Sequence, residues 1–245
     1  MEIMLIVLGI FVGIMSGFFG VGGGTVSVPI LLYMGFDIKE AIGISVFQML
    51  ISSFIAYLIH RKKQTYDSSD MKFFGFGGIM GAMVGAYLVK IVNHSFLEWL
   101  FLALVLFTLL KLFISNPTPT KKEVTHRPLY VLIGSGVGVF SGLLGVGGSL
   151  LMTPILVSFL GFGLKKASAV GLFYVSFTSI SSFTTLSFLG MIDYKSGFLM
   201  AIGSIIGIFI GIWLVHKIKI ENYKSFLVIF YVIILSITAN KLILG

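Results

Sequence analysis

The chain has 245 residues, of which 57% are hydrophobic and only 11% charged, with a mean hydropathy of +1.08. Soluble domains carry roughly 25% charged residues, so this balance excludes a water-soluble fold. The formal charge of +8 falls in short connections between apolar stretches and reads as a topology signal rather than a nucleic-acid footprint, and the lack of cysteine excludes disulfides, thiolate metal sites and thiol nucleophiles.

The opening "MEIMLIVLGIFVGIM" has no basic leader and no small-residue cleavage site, so it reads as a retained membrane segment over residues 3–19. The glycines of "GVGGGT" (20–25) then break the apolar run, and a short segment carrying Pro29 follows over 25–35. Longer apolar segments occupy 41–59, 73–92 and 96–114. A stretch rich in proline, threonine and charge, "SNPTPTKKEVTHRP", reads as a solvated linker over 115–128. Beyond it the order recurs: 129–145, a short segment with Pro154 over 150–161, then 167–189, 197–216 and 223–243. Ten-residue apolar/polar alternation, the mark of a membrane β-barrel, is absent. The expected fold class is an all-α, polytopic transmembrane bundle of about 8–10 apolar segments.

The recurrence is an internal repeat. Residues from Ser16 align with residues from Ser141 at an offset of 125, which becomes 126 after one inserted residue. Lys39 meets Lys165, Phe47 meets Phe173 and Asp67 meets Asp193, and Gly77, Gly81 and Gly85 meet Gly203, Gly207 and Gly211. The domain reading is a first repeat over 1–114, a cytoplasmic linker over 115–128 and a second repeat over 129–245.

The short Pro-containing segments, at about 11 residues and a rise of roughly 17 Å, are too short to span about 30 Å of hydrocarbon, so parity has to come from charge. If the first two segments of each repeat return the chain to its starting side, as a broken or re-entrant pair, the 17 lysines and arginines divide 13 to 4 between the two faces. If the pair makes a single crossing, the division is only 10 to 7. Cytoplasmic loops carry the Lys/Arg excess, which favours the first arrangement: odd parity, inverted halves and both termini outside.

Glycine turns before short helices imply backbone that leaves the helical pattern, tolerated inside a membrane only against protein or a water-filled cavity. Gly22, Gly23 and Gly24 with Thr25, and Gly147, Gly148 and Ser149 in the second copy, could present free N–H groups and hydroxyls at a helix start, a neutral anion site. Gln48 and Tyr174 align at offset 126 and could face one shared cavity as donors to an oxyanion. These nine residues are the candidate substrate site. Asp67, Asp70 and Asp193 read as helix N-caps, the glycine ladders as packing ridges, and the four histidines lie in loops or at segment ends. No catalytic residue, metal site or cofactor is expected. No acid or base falls near the middle of a segment, so no group for proton or sodium coupling is visible.

The paired motifs "SGFFGVGGGTVSVPILL" and "SGLLGVGGSLLMTPILV", with "KEAIGIS" and the glycine ladders, resemble the sulfite exporter TauE/SafE family over nearly the whole chain. The resemblance implies a carrier of sulfite, sulfonates or related sulfur-containing anions in the cell (cytoplasmic) membrane. Gly22, Gly23, Gly24 and Pro29, with Gly147, Gly148 and Pro154, are the matching positions. The second copy departs from the first at Ser149, opposite Gly24, and at Gly171, opposite Ser45. The resemblance also implies eight helices in two four-helix repeats, which conflicts with odd parity. The functional expectation is a multi-pass exporter of small sulfur-containing oxyanions, working by alternating access around a midplane site, with a small anion and the lipid bilayer as partners and no nucleic acid. An anion channel with the same site is the alternative, and a membrane enzyme or assembly factor a more distant one.

Overall fold

The computed structural model describes residues 1–20, 22–62, 71–114, 126–217 and 220–244. Most of the linker and the proposed caps Asp67 and Asp70 lie outside the described residues. The described residues form ten helices: α1 (Glu2–Phe19), α2 (Gly24–Tyr33), α3 (Ile38–Lys62), α4 (Lys72–Ile91), α5 (His94–Ile114), α6 (Arg127–Leu144), α7 (Ser149–Ser158), α8 (Leu164–Phe188), α9 (Tyr194–Lys217) and α10 (Ile220–Leu244). Among these residues there is no strand, so the all-helical expectation holds.

Eight of the helices are long and apolar enough to cross a membrane; the other two, α2 and α7, are short apolar helices. The short pair has 10 residues each, with Pro29 and Pro154 inside them. Ten residues rise about 15 Å, half of the roughly 30 Å hydrocarbon thickness. Burial also matches a lipid solvent. Phe11, Phe76, Met83 and Phe209 face outward while Ser45, Gln48, Ser149, Thr153 and Thr178 are buried, which is the reverse of a soluble domain.

Side-chain register gives the directions of the helices. α1 and α9 run side by side in the same direction: Glu2 pairs with Lys195 at 2.6 Å, and Gly9, Gly13 and Gly17 lie on Met200, Ser204 and Ile208 in turn. α4 and α6 do likewise, with Phe74 stacked on Tyr130 at 4.1 Å between ring centroids and Gly138 and Gly142 lying on Gly78 and Ala82. α3 and α8 cross in opposite directions. Phe47 meets Phe183 at 5.4 Å while Ser53 meets Ser179 at 3.3 Å.

The α3 helix also runs with α9, Gly43 on Met191 and Phe47 on Tyr194. The α4 helix runs with α8, Gly75 on Phe177 and the Ser181 hydroxyl donating to the Ile79 carbonyl at 2.7 Å. Helices α1, α3 and α9 therefore point one way and α4, α6 and α8 the other. α5 reverses directly after α4, and α10 starts beside the end of α5, where Lys224 Nζ donates to the Phe113 carbonyl at 3.2 Å.

Since α1 and α3 are parallel, α2 carries the chain back between them; α7 does the same between α6 and α8. The described basic side chains divide accordingly: Lys72, Lys111, Arg127, Lys166, Lys217 and Lys224 lie at one end of the bundle, and Lys39, Lys90, Lys195 and Lys241 at the other.

The glycine ladders explain the two tightest helix pairs. A Cβ at Gly203, Gly207 or Gly211 would collide with the carbonyl oxygens of Ile6, Ile10 and Ile14. On the other pair, one at Gly77, Gly81 or Gly85 would collide with those of Val131, Ser135 and Val139. Without Cβ atoms the backbones approach to contact, which is how helices associate where no hydrophobic effect drives them together. Each pair takes one helix from each half of the chain.

Candidate functional site

The two glycine turns are built alike. Gly20 and Gly145 terminate α1 and α6 in the left-handed conformation, φ 67° and φ 63°, which glycine adopts without steric cost. The chain then passes into α2 and α7 through further glycines, and the two turns meet in the interior. Gly22 faces the Ser149 hydroxyl and the Val146 carbonyl, and a Cβ at Gly24 would collide with the Gly145 carbonyl. The junction is thus lined by backbone and small side chains from both halves.

Each proposed site residue has a definite place there. Gly22, Gly23 and Gly24 form the first turn, with Thr25 fully buried in the first turn of α2. Gly147 and Gly148 form the second, with Ser149 opening α7. Gln48 of α3 lies against Gly23. Its Nε2 donates to the Ser52 hydroxyl at 3.0 Å, while its Oε1 is buried with no hydrogen-bond partner. The two ends of an amide are told apart only by their hydrogen bonds. Turned over, the amide accepts from Ser52 and directs its N–H₂ to the turn.

Tyr174 departs from the expectation. Its ring lies against Gly148 and Gly78, and its hydroxyl donates to the Gly134 carbonyl on α6 at 2.6 Å. Gln48 and Tyr174 therefore occupy equivalent places, each against its own half's turn. The tyrosine walls the junction, and its only donor is spent on α6.

Other polar groups tie the turns down. Thr178 donates to the Gly147 carbonyl at 3.0 Å, Ser45 to the Gly145 carbonyl at 2.8 Å, and Ser27 to Ser45 at 2.9 Å. Sequence reasoning passed over Thr108. Pro154 has no N–H to bond the Leu150 carbonyl four residues back, and Thr108 of α5 supplies the missing donor at 3.1 Å. The proline was the available signal, since an orphan carbonyl inside a membrane needs a partner. Asp193 caps α9 as expected, accepting from Ser196 N at 3.1 Å.

Three hydroxyls at this centre, Ser16 Oγ, Ser149 Oγ and Thr153 Oγ1, are buried with no hydrogen-bond partner, as is Gln48 Oε1. Unpaired buried polar atoms are rare and costly. Ser149 and Thr153 lie on the first turns of α7, and Gln48 lies against the first glycine turn. The groups present are neutral, and among the described residues no cluster of His, Asp or Glu could hold a metal ion.

Eight helices long and apolar enough to cross a membrane, with two short apolar helices among them, define the described residues as a multi-pass helical membrane protein. The profile of the family described as "Sulfite exporter TauE/SafE" matches residues 5–239, and the chain belongs to that family. It is 30% identical to a probable membrane transporter protein of Haemophilus influenzae over 78% of this chain and 76% of the relative. It is 24% identical to the probable membrane transporter protein YunE of Bacillus subtilis, over 90% of each chain. A probable membrane transporter protein of Methanocaldococcus jannaschii is 28% identical over 91% of this chain and 90% of its own. No solved structure matches the chain.

Proposed function

We propose that the protein exports small sulfur-containing oxyanions, such as sulfite or a sulfonate, across the cell membrane by alternating access around the junction of the two glycine turns. The observation that carries this reading is the meeting of two oppositely directed helix starts in a buried cluster of neutral hydroxyls and an amide. Helix starts present unpaired N–H groups and the positive end of the dipole to an anion. Sulfite is the substrate class in the family's description.

The halves are read as inverted repeats, residues 1–114 and 129–245, which would present the site alternately to the two sides. The helix directions support this reading, since α3 and α8 occupy corresponding places and cross antiparallel. The end bearing Lys72, Lys111, Arg127, Lys166, Lys217 and Lys224 is then cytoplasmic by the positive-inside rule, and the termini are outside. The moving bodies are not the two sequence halves, because α1 is locked to α9 and α4 to α6. Access would alternate as these mixed pairs rock about the α3–α8 crossing.

Neutral donors leave the anion's charge on the complex, so an inside-negative potential drives it outward with about 2.3 kcal/mol per 100 mV for each charge. Proteoliposomes with an imposed potential and no proton or sodium gradient test this directly. Movement of sulfite or methanesulfonate is expected, with turnover at carrier rates. No movement would defeat the proposal, and flux far above carrier rates would replace alternating access with a channel.

A further inference from the structure

The two turns are copies in sequence but not in hydrogen bonding. On the α2–α3 side, Ser45 donates to the Gly145 carbonyl at 2.8 Å, and Ser27 donates to Ser45 at 2.9 Å. The position aligned with Ser45 on the α7–α8 side is Gly171, so no hydroxyl stands there to bond the backbone. A Cβ added there would stand 3.3 Å from the Gly20 carbonyl oxygen, 3.3 Å from Ser149 Cβ and 3.5 Å from Thr153 Oγ1. The Ser149 and Thr153 hydroxyls beside it are without hydrogen-bond partners, as are Ser16 Oγ of α1 and Gln48 Oε1 of α3, and their residues are 0% or 1% exposed. Four residues apart on α7, Ser149 and Thr153 share one helix face. The corresponding residues of α2 are Gly24 and Val28, which bear no hydroxyl.

We propose that the substrate oxyanion is held at one junction only, between the start of α7, Gly171 of α8 and the end of α1, with Ser149 and Thr153 as its hydroxyl donors. The N–H groups of Ser149 and Leu150, which have no carbonyl in their own helix to bond, add to them. Gly171 is the residue that brings no hydroxyl to this place, and Ser45 is the residue that ties down its counterpart. The transporter therefore carries a single oxyanion per chain, off the axis relating the two halves. This inference rests on the oxyanion reading above.

The test is calorimetric titration of sulfite and of methanesulfonate into the full chain purified in detergent, with the melting temperature of each variant measured alongside. The wild type is expected to bind one anion per chain. Thr153→Val keeps the shape and removes an unpartnered hydroxyl, so it should weaken binding by about tenfold or more, the loss of one hydrogen bond to a charged group, without lowering the melting temperature. Gly171→Ser should do the same by rebuilding the tied-down pattern. Ser27→Ala should leave affinity within about twofold and lower the melting temperature.

If Ser27→Ala weakens binding as much as Thr153→Val, or if Thr153→Val or Gly171→Ser binds like the wild type, the one-sided site is wrong while the oxyanion reading stands. If the wild type binds neither anion, the proposed function falls, and this inference with it.

Discussion

Replacing Gly138 by alanine should destabilise the protein, whereas the same replacement at Gly136, two residues earlier on α6, should not. A Cβ at Gly138 would stand 2.7 Å from the Gly78 carbonyl oxygen and 3.0 Å from the Ala82 nitrogen, both backbone atoms of α4, while one at Gly136 meets nothing within 4 Å. Backbone cannot turn aside as a side chain can, so the alanine at 138 must push α4 and α6 apart. Overpacking of this kind costs about 1–3 kcal/mol. Each substitution also gains up to about 1 kcal/mol from removing a helical glycine, and that gain is common to the two variants and cancels between them. The expected gap is thus about 1–3 kcal/mol, or several degrees in melting temperature for a chain of this length. Fluorescence-monitored melting of the two variants in detergent reads it. If Gly138→Ala melts at or above Gly136→Ala, the close α4–α6 contact does not hold, and the mixed helix pairs lose their standing as rigid bodies.

Thr108→Val should orphan the Leu150 carbonyl and lower stability by about 1–3 kcal/mol, whereas Thr108→Ser should restore most of it; melting curves of both variants check the bond across Pro154. Tyr174→Phe removes the hydroxyl bonded to Gly134 and should cost about 1 kcal/mol, again read by melting; an unchanged melting temperature would free that hydroxyl for another role. Gln48→Leu removes the amide at Gly23, on the side that Ser45 ties down, so with a one-sided site sulfite efflux from proteoliposomes should stay within about twofold of the wild type at equal protein incorporation. A loss of about tenfold, the size of one hydrogen bond to the anion, would put the amide in the site and overturn the one-sided arrangement.

Much of this protein was legible without coordinates because a membrane imposes strong local rules. A helix must run about 20 apolar residues to cross, and a glycine cluster or a proline inside such a run has to be accounted for by a break. The ten segments could therefore be read in chain order, with α2 and α7 recognised as too short to span. The glycine turns were legible for the same reason, as was Gln48, whose amide is costly to bury in lipid. The capping role of Asp193 followed from its place before α9.

What the tertiary structure decided is which groups meet. The ladders announced close packing, but not that α1 would pair with α9 and α4 with α6, because the i, i+4 spacing of glycines specifies a flat face and not its partner. Tyr174 aligned with Gln48 and was expected to share its cavity. Only packing shows its hydroxyl carried to the Gly134 carbonyl, since the direction of a long side chain depends on the room its neighbours leave. Ser45 and Gly171 differ by one side chain in the alignment. That the Ser45 hydroxyl reaches the Gly145 carbonyl, while Gly171 can make no such bond, depends on an atom 100 residues away in the chain, which no local pattern records.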